Sequence, residues 1–241
     1  MAKRVKSSSS SEQIIEALTK ISEAVTSDLY LEDILKLIVT VTAQVLGSKI
    51  CSLMLLDEAS KELIIKATQS VSEAYNRKPN IKLGEGIAGR VAKEGRPITV
   101  LDVRKDERYK NRDIAKKEKL CSLLSVPLIF KSKVIGVLNT YTSKPHQFSK
   151  SEINILKSVA NQAAIVIENF RLVVESQIIK EELEARKTIE RAKGILMKER
   201  DLTEDQAYNL IRKYSMDSRR TMREIAEAII LSEDVKKLSK K

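Results

Sequence analysis

Cysteine is scarce in this chain, and that scarcity excludes whole classes of protein. Cys51 and Cys121 are the only two, too few for a disulfide framework or a zinc ribbon. Long apolar runs are missing as well: none approaches the roughly 18 residues that a membrane-spanning helix needs. Residues 1–11, MAKRVKSSSSS, are basic but carry no apolar core, so they read as a disordered tail and not as a secretory signal. Histidine occurs once, as His146 beside a proline. One loop histidine supplies no metal cluster and offers neither cysteine an obvious base, so no catalytic residue, no metal and no enzyme are expected. Haem and bilin attachment fit poorly for the same reason. No receiver-domain pattern with an acidic pocket is present, so phosphorylation is not the expected direct input. These absences together point to a reduced cytoplasm and no membrane contact.

What is present is a chain with 42% apolar and 32% charged residues and a formal charge of +11. Such a charge suits a polyanionic partner. Its distribution is uneven: residues 180–241 hold 16 basic and 13 acidic side chains, a net of only +3. The excess therefore lies in the first 179 residues, where a solvated surface explains it.

The hydrophobic pattern changes character twice. Residues 12–46 have helical spacing, from Ile14, Ile15, Leu18, Ile21 and Val25 to Ile34, Leu35, Ile38, Val41, Val45 and Leu46, and Gly47-Ser48 ends the run. From Lys49 to about Tyr141 the pattern is one of short strands: KICSLMLLD, ELIIKAT, RPITVLDV, SLLSVPLIF and SKVIGVLNTY. Lys131-Ser132 joins the last two as a hairpin-length connection without the usual glycine. Six of the seven glycines fall between 47 and 136, as turns require. From Ser149 the chain is helical again, opened by the capping box Ser149-Lys150-Ser151-Glu152. No proline or glycine follows before Gly194, so one helix of some forty residues is expected. Leu172, Ser176, Ile179 and Leu183 fall at 4, 3, 4 spacing, a short coiled-coil seam with one polar member.

Three amphipathic helices follow from Arg186. The first has Ile189, Ala192 and Leu196 on one face and Lys187, Arg191, Gly194 and Lys198 on the other. Gly194 costs about 1 kcal/mol relative to alanine in a helix interior, which asks for a reason such as close approach of a backbone or ligand. Thr203-Glu204-Asp205-Gln206 opens the second, with Ala207, Leu210, Ile211 and Tyr214 inward; a break is expected at Asp217-Ser218. The third places Met222, Ile225, Ala226, Ile229 and Ile230 inward. Arg212, Lys213, Arg219, Arg220 and Arg223 gather around the second connection.

The segment from Ile189 to Ile230 resembles the ANTAR domain of bacterial transcription antiterminators. The resemblance rests on Ala192-Lys193-Gly194-Ile195-Leu196-Met197, on Ala207-Tyr208 with Leu210, on Ser215-Met216 and on Glu224-Ile225-Ala226. It implies a three-helix bundle that binds paired small hairpins in messenger RNA leaders and keeps an overlapping terminator from forming. Exposed loop bases are what a protein can read in RNA, and basic side chains around a loop hold phosphates. The candidate contacts are Lys187, Arg191, Lys193, Lys198, Arg212, Lys213, Arg219 and Arg220. Tyr208 is open between base stacking and packing.

Two earlier stretches, LGEGIAGRVAKEGRPITVLDVRKDERY and SLLSVPLIFKSKVIGVLNTYT, resemble the GAF domain, a small-molecule and regulatory module with a central antiparallel sheet and flanking helices. Gly84-Glu85-Gly86-Ile87-Ala88-Gly89 spells G-x-G-x-x-G, but a polar, proline-containing loop precedes it and no parallel βαβ pattern surrounds it. A dinucleotide site is therefore not expected, and a tight turn into a short helix, Ile87 to Lys93, is. Cyclic-nucleotide-binding members of the family carry an Asn-Lys pair and later a Phe and two acids. Here Asn139 precedes Thr140, and Phe148 leads to Ser151-Glu152, so that ligand is not expected.

The expected architecture is thus an α+β GAF domain joined by a long helix to an all-α three-helix bundle. Its divisions are a tail 1–11, a GAF domain 12–171, a helical linker 172–185 and an ANTAR domain 186–235. The expected function is signal-responsive antitermination, gated by an unidentified small-molecule ligand of the GAF domain, in a ligand-dependent homodimer. No cofactor is evident. Two alternatives are a sensor-coupled helix-turn-helix DNA-binding regulator and a redox sensor or enzyme using Cys51 or Cys121.

Overall fold

The structure, a computed structural model, describes Thr19 and residues 30–238. The expected tail and the expected helical positions Ile14, Ile15, Leu18, Ile21 and Val25 lie outside the described residues. Two compact units divide the chain after Phe170.

In the first unit, α1 (Leu31–Val45) precedes β1 (Ile50–Asp57), β2 (Glu62–Thr68), α2 (Glu73–Asn76), β3 (Ile81–Lys82) and α3 (Gly86–Glu94). Then come β4 (Ile98–Val100), α4 (Arg112–Lys117), β5 (Leu123–Phe130), β6 (Lys133–Tyr141) and α5 (Lys150–Arg200). The strands form one antiparallel sheet in the order β3-β2-β1-β6-β5-β4. Helix α1 buries Ile34, Leu35, Ile38 and Val39 at helical spacing. Gly47, at φ +59°, then stops it, a left-handed position that costs glycine little.

Strand alternation gives the sheet two different faces. Cys51, Leu53, Leu124, Val126 and Leu138 pack with α1 and with Leu156, Ala160 and Ala163 of α5. On the other face, Met54, Leu63 and Val137 pack with Ala88, Val91 and Ala92 of α3, and Ile50, Leu123 and Tyr141 with Tyr75 and Tyr109.

Five strands follow the expected segments, one of them shortened, and the two-residue β3 is an addition to them. RPITVLDV keeps only Ile98–Val100 as strand, because the Asp102 carboxylate accepts the Arg104 backbone N–H at 3.0 Å and folds the chain away from the sheet. The β5–β6 connection is made at Lys131 and Ser132, both at positive φ (44° and 67°), as a two-residue hairpin turn demands. The G-x-G-x-x-G stretch is a packing device. A Cβ on Gly89 would stand 2.3 Å from the Lys82 carbonyl oxygen, and the Gly84 N–H donates to the Gly89 carbonyl at 2.8 Å.

The capping box at Ser149 and Glu152 forms: the Ser149 N–H donates to the Glu152 carboxylate at 2.7 Å, and the Glu152 N–H to Ser149 Oγ at 3.2 Å. Helix α5 is longer than expected, 51 residues, and passes straight through Gly194. In the second unit its last turns join α6 (Glu204–Ser218) and α7 (Met222–Leu238). Ala192, Leu196, Ala207, Ile211 and Ala226 form the core there, ringed by Ile189, Leu210, Ile225 and Ile229.

The break expected at Asp217-Ser218 falls one residue later. Helix α6 runs to Ser218 and ends on Arg219 in the left-handed region at φ 56°. A capping box fixes that boundary: the Thr221 N–H donates to the Glu224 carboxylate at 2.7 Å, and the Glu224 N–H to Thr221 Oγ1 at 3.2 Å. Among the described residues, no helix is long and apolar enough to cross a membrane.

Candidate nucleic-acid interface and sensor cavity

The basic residues singled out in the helical unit divide by what they touch. Lys193 is only 6% exposed, and its ammonium donates to Glu190 at 3.0 Å and to Glu204, in the first turn of α6, at 2.7 Å. Those carboxylates hold its pKa above the ordinary lysine value, Glu204 contributing most. Arg191 pairs with Asp234 of α7 at 3.3 Å, and Lys187 with Glu184 at 2.9 Å. Lys193 and Arg191 therefore fasten α5 to α6 and to α7. Lys198, Arg212, Lys213, Arg219 and Arg220 are exposed and carry no ion pair among the described residues.

Tyr208 and Arg212 are four residues apart on one exposed face of α6, which ends at Arg219. Tyr208, 42% exposed, is available at that surface. Two residues here are costly for the fold alone. A left-handed arginine costs about 1–2 kcal/mol, where glycine would cost little. Gly194 is exposed, and a Cβ there would meet nothing within 4 Å, so no contact inside the protein requires a glycine.

The first unit encloses a different kind of site. Ser52, Asn139 and Ser125 are register partners across β1, β6 and β5, so they form one polar row on the sheet face opposite α1. Ser52 Oγ is 2.9 Å from the Tyr75 hydroxyl. Asn139 is 1% exposed, and neither of its amide atoms, nor Ser125 Oγ, has a hydrogen-bond partner. A buried polar atom left unpaired costs about 1–3 kcal/mol.

Above the row, Tyr75 and Tyr109 pack edge-on against Tyr141, with ring centroids 6.0 and 6.3 Å away. The Tyr109 hydroxyl donates to that of Tyr141 at 3.3 Å, and burial pushes all three phenol pKa values up. Lys78, 7% exposed, holds its ammonium 4.0 Å from the centre of the Tyr75 ring. Among the described residues that ammonium has no hydrogen bond or ion pair. Burial alone pulls its pKa down to about 7.

In the sequence, Lys78 falls in a polar loop, and Ser52 and Ser125 fall inside apolar strand segments. A polar residue at an inward position of an apolar strand was the legible signal in SLLSVPLIF and KICSLMLLD. Lys78 gave none, because its burial depends on tyrosines 3 and 63 positions away. Cys51 is fully buried, and burial pushes its thiol pKa up. Cys121 is buried too, with Arg104 Nη2 donating to its sulfur at 3.3 Å.

Residues 29–168 match the family model of the GAF domain, and residues 178–230 that of the ANTAR domain. The chain belongs to the GAF family and carries an ANTAR domain behind it. Its GAF portion is similar to the phosphoenolpyruvate-dependent phosphotransferase system protein of Escherichia coli strain K12, 27% identical over 155 residues. That match covers 64% of this chain and 21% of the relative. The ANTAR portion is similar to the transcriptional regulatory protein PdtaR of Mycobacterium tuberculosis, 41% identical over 56 residues, 23% of this chain and 27% of PdtaR. The chain thus spans about a fifth to a quarter of these relatives' own lengths.

Among solved structures, the GAF domain of a phosphoenolpyruvate-protein phosphotransferase from Coxiella burnetii superimposes with a TM-score of 0.61 at 27% identity. It covers 68% of this chain and 98% of its own. Free methionine-R-sulfoxide reductase from Neisseria meningitidis shares the fold, with a TM-score of 0.57 at 22% identity over 66% of this chain and 91% of its own.

Proposed function

We propose that the chain is a transcription antitermination regulator whose ANTAR domain binds hairpins in nascent messenger RNA and whose GAF domain controls that binding in response to a small molecule. The observation that carries this reading is the ANTAR match over residues 178–230, joined to an exposed basic surface that the fold does not use. Lys198, Arg212, Lys213, Arg219 and Arg220 are the phosphate contacts in this reading. Tyr208 offers a stacking face for an unpaired base. Lys193, Arg191 and Lys187 act indirectly, by holding the helices and their neighbours in place. The domain division follows the sequence: sensor to about 171, helical linker 172–185, RNA module 186–235, in a cytoplasmic protein. A regulator, and not an enzyme, also suits a Cys51 thiol that burial holds protonated.

Leu172, Ile179 and Leu183 are each half or more exposed on α5. They suit pairing of two chains, which would present two RNA modules to two hairpins and raise avidity by orders of magnitude. An electrophoretic shift with a hairpin pair and with duplex DNA tests the first claim. Tighter binding to the hairpins is expected, weakened at least tenfold in an Arg212→Ala, Arg219→Gly double variant; preference for the duplex would overturn it in favour of a DNA-binding regulator. Sedimentation of the RNA complex tests the second, and a strict monomer would end it.

A further inference from the structure

The cavity beneath Lys78 has polar atoms waiting for partners and no negative charge to satisfy its cation. Lys78 and Lys110 both line it, and no acidic side chain does. Lys110 reaches Glu85 at 3.6 Å, whereas Lys78 has only ring faces. Gly86, Ile87 and Ala88, the first turn of α3, form another wall, and that helix has no side-chain cap. Its dipole adds positive potential. The floor is Asn139, with both a free N–H donor and a free carbonyl acceptor. The enclosed volume is about 10 Å³, room for about one water. Occupation by anything larger requires the cover, which carries Tyr75 and Lys78, to lift.

We propose that this cavity is the seat of a small organic carboxylate that also carries a hydrogen-bond donor, a hydroxy or amino acid of a few carbons. Its carboxylate takes the Lys78 ammonium and the Asn139 amide N–H, and its hydroxyl or amino group donates to Asn139 Oδ1. An acceptor-only anion such as sulfate leaves that carbonyl oxygen unpaired. Tyr109 and Tyr141 line the cavity, Tyr75 packs edge-on against Tyr141, and these rings strengthen the charge pairing by limiting its contact with water. That this ligand switches RNA binding rests on the function proposed above; that it binds here does not.

The test uses the full chain at pH 6.5, titrated with sodium lactate, sodium acetate, lactamide and sodium chloride at matched ionic strength. The readout is the Lys78 side-chain ammonium NMR signal, identified by its loss in Lys78→Met, together with the melting temperature. Lactate is expected to shift both, acetate to do so at least threefold more weakly, and lactamide and chloride to do neither. Lys78→Met, which places an apolar chain in an apolar cage, is expected to stay folded and lose the response at least tenfold. Asn139→Ala is expected to erase the preference for lactate over acetate. No response to either carboxylate up to 100 mM, the mark of an ordered water only, would overturn the assignment. So would an equal response to chloride, or an undiminished one in Lys78→Met. Lactate binding with unchanged hairpin affinity sinks the gating reading and leaves the cavity assignment standing; hairpin binding without lactate binding does the reverse.

Discussion

Lys78 and Lys193 are the two buried lysines among the described residues, and their surroundings are opposite. Lys193 is clasped by Glu190 and Glu204, which raise its pKa. Lys78 lies among tyrosine rings with no carboxylate, and burial lowers its pKa to about 7. Burying a charge is expensive unless it is paired. The first lysine is therefore part of what holds its unit together, and the second is tolerated in spite of what it does to stability. Gly194 and Arg219 belong with Lys78: each is a poor choice of residue for its place in the fold, where alanine in the helix interior and glycine at the left-handed helix end cost less.

The largest expected effect is a difference in sign. Near pH 6.5, Lys78→Met should stabilise the first unit by about 2 kcal/mol, since an unpaired buried amine is replaced by an apolar chain. Lys193→Met should destabilise the second unit by removing the hydrogen-bonded ion pairs that tie α5 to the first turn of α6. Hydrogen exchange resolved by segment reads both, and equal signs would break the contrast.

Acidity offers a second handle of similar size. Below about pH 7 the Lys78 amine is charged in folded and unfolded chains alike, so its full burial penalty is present. Between about 7 and its ordinary 10.5 only the unfolded chain keeps the proton, so stability climbs with pH. Denaturation at pH 7 and pH 9 should show a gain of about 2 kcal/mol in the wild type that is absent in Lys78→Met. The facing groups, Tyr75, Tyr109, Tyr141 and the Lys110–Glu85 pair, are common to both proteins. The raised phenol pKa values keep the tyrosines neutral across this range.

Arg219→Gly should stabilise the helical unit by about 1 kcal/mol, because glycine enters the left-handed region freely, while weakening hairpin binding severalfold. Loss of stability instead would mean that the arginine serves the fold. Gly194→Ala carries the smallest expected effect, a gain of a little under 1 kcal/mol in an exposed helix interior. Its influence on hairpin affinity, read by the same electrophoretic shift, separates a surface that something approaches closely from an idle one.

The sequence made much of the scaffold legible, because periodicity and end signals are local. The strand segments, the Gly47 stop and the boxes at Ser149 and Thr203 all follow from neighbours within four positions. Thr221-Met222-Arg223-Glu224 carries the same signature, and its capping box moves the break one residue beyond Asp217-Ser218. The site was less legible for a physical reason. Whether a basic residue is free or paired depends on partners such as Glu204 and Asp234, the second 43 positions from Arg191. The cavity depends on Lys78, from the loop after α2, meeting Asn139 and Tyr141 of β6, and no spacing rule connects that loop to the strand.

The row of Ser52, Asn139 and Ser125 has a consequence for how such a protein changes over time. Each residue occupies one hydrogen-bonded strand, at a position whose backbone conformation tolerates almost any side chain of similar size. Exchanging Asn139 rewrites the donors and acceptors on the cavity floor, and exchanging either serine changes what flanks it, while the ladder beneath keeps its bonds. Selection can therefore retune the chemistry that the cavity accepts by single substitutions, without rebuilding the sheet or the helix that leads onward from it.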